Sequence, residues 1–249
     1  MATAALDTLL HHPALWRGGD TARVKLPSIP TGFSALDREL PGGGWPRAAI
    51  TELLSTHQGI GELSLLIPAL AQLSRSERWV ALIDPPHVPY APALAASSVE
   101  LSQLIMVRTR SERDAQWSTE QALRAGSCAA VLTWSASMNE RNLRRLQLAA
   151  EEGGSFGALF LPDVANYSSP APLRLRLAPT HAGLSVHIVK RRSGGVPPVL
   201  ELDTCRDFTS FASSRTQPPA LYASRVDSRS NPPSCGAVAQ RIAPNAWKE

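Results

Sequence analysis

Lysine is nearly absent from this chain, which carries it only at Lys25, Lys190 and Lys248 among 25 basic residues. Sites that rely on a lysine ammonium to hold phosphate therefore have few candidates. Cysteine is also sparse: Cys128, Cys205 and Cys235 are far apart, odd in number and in no CxxC pair. That excludes a disulfide framework and a zinc site built from paired thiolates, and points to the reducing cytosol. Aromatic residues make up only 6% of the chain. No apolar run approaches the roughly 18 residues needed to cross a bilayer, and the N-terminus lacks the pattern of a secretory leader. A soluble cytoplasmic protein is expected.

What is present is arginine, with a formal net charge of +4 and a pI near 9.3 over 249 residues. This balance permits contact with nucleic acid or an acidic partner without requiring either. The length suits one sizeable core with tails. The pattern predicts an N-terminal helix and arm over 1–27, a core domain over 28–203, and a disordered tail over 204–249, where Ser, Pro, Arg and Ala show no sustained period.

Inside the core, short apolar runs alternate with helical patterns, the signature of βαβ units and a mostly parallel sheet. Strands are predicted at 49–54, 79–84, 104–107, 129–133 and 157–161. Two later runs, 173–177 and 184–190, alternate strictly and predict an antiparallel edge. Helices are predicted at 62–74, 111–125 and 138–152. Pro68 interrupts the first of these and predicts a kink or an early end. Ser111 with Asp114 suits a capping box, and Gly153-Gly154 stops the third helix.

The first of these strands runs through a glycine-containing turn into a helix, the context of a phosphate-binding loop. Such a loop reads G-x-x-x-x-G-K-[ST]: backbone N–H groups cradle the phosphates, the lysine neutralises them and the hydroxyl holds magnesium. Here the eight residues are Ser55-Thr56-His57-Gln58-Gly59-Ile60-Gly61-Glu62. Ser55 and Ile60 stand at the glycine positions, Gly61 at the lysine and Glu62 at the hydroxyl. A carboxylate about 4 Å from a phosphate is repelled by about 1 kcal/mol in water and by more in a cleft. ATP binding of this type is not expected, no metal or other cofactor is called for, and no catalytic residue is assigned.

Ile29-Pro30-Thr31-Gly32-Phe33-Ser34-Ala35-Leu36-Asp37 and the glycine-rich Leu40–Pro46 turn resemble the entry to the ATPase core of RecA recombinases. Ala81-Leu82-Ile83-Asp84-Pro85-Pro86-His87 resembles the RecA segment that carries the catalytic glutamate, with Pro86 at the position of the base. Val131-Leu132-Thr133-Trp134 has no acid where a magnesium-binding aspartate would stand. The resemblance implies a RecA-like P-loop-type core whose nucleotide site is degenerate, and hence a protein that is not an enzyme.

Residues 9–17, 120–128 and 143–150 resemble the ImuA/SulA family. The ImuA branch implies a non-catalytic adaptor in SOS-inducible translesion DNA synthesis. Its implied partners are ImuB, an error-prone DnaE-type DNA polymerase and RecA, with DNA met only indirectly or weakly. The SulA branch implies a cell-division inhibitor that binds FtsZ, and a residual nucleotide-binding protein is the third alternative. Candidate partner-surface residues are Arg141, Arg144 and Arg145 on the outer face of the third helix, and Lys190, Arg191 and Arg192.

Overall fold

A computed structural model describes residues 27–163, 168–192, 199–204 and 238–241. The helix expected near Leu6–Leu10 lies outside them. Strands β1 (Ser28–Ile29) and β2 (Trp45–Pro46) form a small antiparallel pair. The remaining strands are β3 (Ile50–Ser55), β4 (Trp79–Ile83), β5 (Leu104–Arg108), β6 (Cys128–Trp134), β7 (Phe156–Pro162), β8 (Leu173–Thr180), β9 (Gly183–Lys190), β10 (Val199–Leu202) and β11 (Val238–Arg241). They build one nine-stranded sheet in the order β10-β9-β8-β3-β7-β6-β4-β5-β11. Neighbours from β8 to β5 pair in parallel, while β9, β10 and β11 pair antiparallel.

The helices are α1 (Ser34–Glu39), α2 (Ile67–Leu73), α3 (Ala91–Ala96), α4 (Glu112–Arg124) and α5 (Glu140–Gly153). They flank the sheet on both sides. One core gathers Leu36 of α1, Leu70 of α2 and Leu94 of α3 over Leu53, Leu82 and Phe156. The other packs Leu123 of α4 and Leu143, Leu146 and Ala150 of α5 on Ile50, Val131 and Leu159. Strands covered on both faces read as continuous apolar runs, and β6 and β7 do so: each is buried except at its last residue.

Pro68 acts as a start signal more than a break. Glu62–Leu65 forms a 3-10 turn, and α2 then begins with the proline in its first turn, where its missing N–H costs nothing. Ser111 Oγ accepts from the Asp114 N–H at 3.2 Å and caps α4. Asn139 caps α5 in the same way through Asn142 at 2.8 Å.

The alternation of β8 leads to an incomplete expectation. β8 is antiparallel to β9 but parallel to β3. Alternation reports that one face is open; it carries no information on strand direction. The strand β11, paired with the β5 edge through Val238↔Arg108 to Arg241↔Ile105, falls inside the segment that composition assigns to disorder. An open sheet edge offers unpaired backbone groups to such a segment. The rest of that segment beyond Thr204 lies outside the described residues.

Two polar arrangements tie distant parts of the chain together. Glu52 of β3 is fully buried and meets Arg174 of β8 at 2.9 Å, with Ser169 Oγ donating to its other oxygen. Arg78, just before β4, donates to the carbonyls of Gly153 at 2.9 Å and Gly154 at 3.1 Å, and to that of Cys128. At the end of α5, a Cβ on Gly153 would lie 1.9 Å from the Leu123 carbonyl oxygen, so only glycine permits this approach of α5 to α4.

Candidate functional site

Open parallel sheets bind ligands in the crevice outside the carboxyl ends of their strands. Here that place is a crevice of 720 Å³. Its walls are the ends of β3 (Ser55), β6 (Trp134), β7 (Pro162) and β8 (Leu177), with Glu62, Asp84 and Pro86 from the intervening loops. Positions separated in sequence thus converge: Ser55, Glu62, Pro86 and Trp134 share one cavity. Gly59 and Gly61 lie in the loop between Ser55 and Glu62 and turn it with φ of +76° and +91°, a conformation that glycine adopts freely.

The loop uses its polar groups on itself. Ser55 Oγ accepts from the His57 N–H at 3.1 Å and also bonds the His57 carbonyl. Glu62 Oε1 accepts from the Gly59 N–H at 3.1 Å. The carboxylate therefore takes up a backbone donor that a phosphate-binding loop would offer to its ligand. Glu62 is only 7% exposed, and its Oε2 is enclosed without a hydrogen-bond donor among the described residues.

The second acid of the crevice is Asp84, which follows β4 directly with φ of +48°, unusual for a residue with a side chain. Its carboxylate accepts from the Thr109 N–H at 2.8 Å and from the Thr109 hydroxyl. The sequence shows this acid next to the Pro86 segment, but nothing in its pattern marks it as part of a site. Trp134 stacks on Phe160 with ring centroids 4.4 Å apart and 7° between planes. Among the described residues, no lysine or arginine lines the crevice.

The basic candidates separate into two places. Arg141, Arg144 and Arg145 are exposed along α5 while Leu143 and Leu146 point into the core. Arg144 pairs with Glu140 at 2.6 Å, and Arg145 pairs with Glu120 of α4. At the far end of the sheet, Lys190 Nζ donates to the Ser169 carbonyl at 2.5 Å. Arg191 pairs with Glu39 at 3.0 Å, and Arg192 is exposed. Lys190 and Arg192 border a smaller cavity of 340 Å³ with Pro46, Pro170 and Pro172. Neither group borders the crevice.

Burial pushes the Cys128 thiol up, which keeps it protonated and unreactive. Among the described residues, no three His, Cys, Asp or Glu side chains gather to hold a metal. No described helix is long and apolar enough to cross a membrane.

The fold is a mixed α/β domain with a large, mostly parallel sheet and a crevice at its strand ends. Residues 48–157, which run from the approach to β3 into β7, match the family described as "Cell division inhibitor SulA". Cell division inhibitor SulA of Edwardsiella piscicida is 34% identical over 111 residues, 44% of this chain and 66% of that protein. SulA of Photorhabdus laumondii is 29% identical over 119 residues, 47% of this chain and 67% of that protein. Protein RecA of Picosynechococcus is 28% identical over 114 residues, 46% of this chain and 32% of that protein. The chain spans just under two thirds of the Edwardsiella protein. The crystal structure of SulA from Pseudomonas aeruginosa aligns at a TM-score of 0.39 and 24% identity, covering 45% of this chain and 97% of that one.

These findings overturn the expectation of an ImuB-linked adaptor of translesion synthesis. The matching family and the two SulA relatives bear the name of a division inhibitor. Residues 120–128 and 143–150, which carried the resemblance, fall inside the matched span. They could not tell the two branches apart. Residues 9–17, the remaining support, lie outside both the match and the described residues.

Proposed function

We propose that the chain is a non-catalytic inhibitor of cell division, produced in response to DNA damage, that acts by direct contact with the division protein FtsZ. The observation that carries this reading is the SulA-matching segment over residues 48–157. It contains the centre of the sheet and both helices of one face. The two SulA relatives are named for inhibition, not for a reaction. Overproduction in the source bacterium should give filamentous cells, and the purified chain should block FtsZ polymerisation. Normal division with unimpeded polymerisation overturns the reading, as does stable co-purification with ImuB in place of FtsZ.

The same inference extends to the origin of the crevice. It is a RecA-like nucleotide site that no longer takes a nucleotide. The similarity to RecA, the placement of the crevice, and the joint presence of Ser55, Gly61, Glu62 and Pro86 at the former loop and base positions support this. Calorimetry with ATP and magnesium tests it: heat of binding at sub-millimolar affinity contradicts it. The arginines of α5 and the Lys190–Arg192 run are offered as partner-facing surface. Charge reversal of each set, with FtsZ polymerisation as the readout, decides between them.

A further inference from the structure

We infer that the crevice at the strand ends receives a cationic side chain, an arginine presented on a loop of a partner protein. Three features of the crevice point to this ligand. Among the described residues, its ionisable lining is two carboxylates, Glu62 and Asp84, and one imidazole, His57, whose Nδ1 meets the Thr56 hydroxyl at 2.8 Å; no lysine or arginine offsets the acids. Asp84 is engaged by Thr109, whereas Glu62, more than nine-tenths buried, has an oxygen with no donor. A buried acceptor left without a donor is unfavourable, and more so for a charged group. A guanidinium is rich in donors and matches carboxylates in its planar fork.

The third feature is the aromatic pair Trp134 and Phe160, which lines the crevice beside these acids. Indole faces attract a guanidinium through the ring quadrupole, most strongly where water is excluded. At 720 Å³ the crevice exceeds the volume of one side chain, so the cation arrives with part of the loop that carries it. The electrostatics are the reverse of a phosphate site: the loop supplies the negative charge and the visitor the positive.

The inference concerns the chemistry of the ligand and stands apart from the division reading, which filament formation tests separately. The full chain, labelled with ¹⁵N, is titrated with acetyl-Gly-Gly-Arg-Gly-Gly-amide and followed by NMR. The indole resonance of Trp134, assigned with Trp134→Phe, and the amides of residues 55–62 should shift in a saturable manner. Acetyl-Gly-Gly-Glu-Gly-Gly-amide should leave them unmoved. Glu62→Gln should weaken the arginine peptide about tenfold, while Arg144→Gln, outside the crevice, should not. Affinity of the unmodified chain should also fall as salt is raised, a test that requires no variant. No saturable shift, unchanged affinity in Glu62→Gln, or the same resonances responding to ATP with magnesium overturns the inference. Agmatine binding as tightly as the peptide overturns the assignment to a protein side chain.

Discussion

Glu52 and Arg174 are 122 positions apart in the chain and direct neighbours in the sheet, joined at 2.9 Å where β3 meets β8. Glu52 is fully buried and Arg174 nearly so. The pair sits at the end of the parallel block, where β8 begins the antiparallel hairpin. Neither residue suggests the other in the sequence: Glu52 reads as an oddity in a buried strand, Arg174 as the polar phase of an alternating one.

Removing one partner of a buried pair strands the other charge and costs about 3–5 kcal/mol, whereas exchanging both for apolar residues is often neutral. Arg174→Met should therefore destabilise the protein by about 3–5 kcal/mol in urea unfolding. The double replacement Glu52→Leu with Arg174→Met should recover most of that loss. A double variant as unstable as the single one refutes this account of the pair.

Gly153 should tolerate no side chain. A Cβ there meets the Leu123 carbonyl oxygen at 1.9 Å, so α5 must move away from α4. Overpacking costs about 1–3 kcal/mol and occasionally more, and because the obstacle here is backbone, Gly153→Ala should fall at or above the top of that range. Gly59 differs, since a Cβ at that position meets open space and only its positive φ penalises the change. Gly59→Ala should cost about 1–2 kcal/mol. Thermal unfolding of the two variants, with the tighter site the more damaged, checks the ranking.

The Glu112 carboxyl is held below its usual value of 4.5 by the hydroxyl of Ser135 and then by the backbone N–H of Ser137. A carboxylate depressed in the folded state adds stability above its unfolded value and loses it as pH falls through the folded value. The stability advantage of the natural protein over Glu112→Gln should be full at neutral pH. It should shrink as the pH drops below about 4.5. Chemical denaturation across that range measures the difference, and a constant difference refutes it.

The two faces of α5 should respond oppositely to substitution. Leu143→Ala, in the fully buried row, should cost about 2–5 kcal/mol. Arg144→Ala removes an exposed pair with Glu140, one turn away on the same helix, and should change stability by no more than about 0.5 kcal/mol. Only the arginine change is then suitable for probing partner contacts, because a loss of binding cannot be ascribed to unfolding.

Much of this architecture is readable from residue patterns. The buried parallel strands announce themselves as unbroken apolar runs, and α4 and α5 by their spacing and caps. Short elements did not: α3 has only six residues, too few for a period to form. Nor did β11, whose place depends on an edge strand far away in sequence. At the crevice, the residue types at Ser55, Gly61, Glu62 and Pro86 were legible one by one. The turn of the Glu62 carboxylate onto the Gly59 N–H is a matter of loop geometry and was not. The choice between ImuA and SulA branches failed for another reason, since two of the three segments used fall within a span that matches the SulA family.

Arg78 joins the start of β4 to the last turn of α5 and the start of β6, and Gly153 lets α5 settle directly on α4. Two helices held this closely should move as one plate. A partner that settles on the arginines of α5 meets a surface already in its final shape and pays little conformational entropy to fix it. Loosening Arg78, at the opposite end of α5 from these arginines, should then speed release of such a partner while leaving its footprint unchanged.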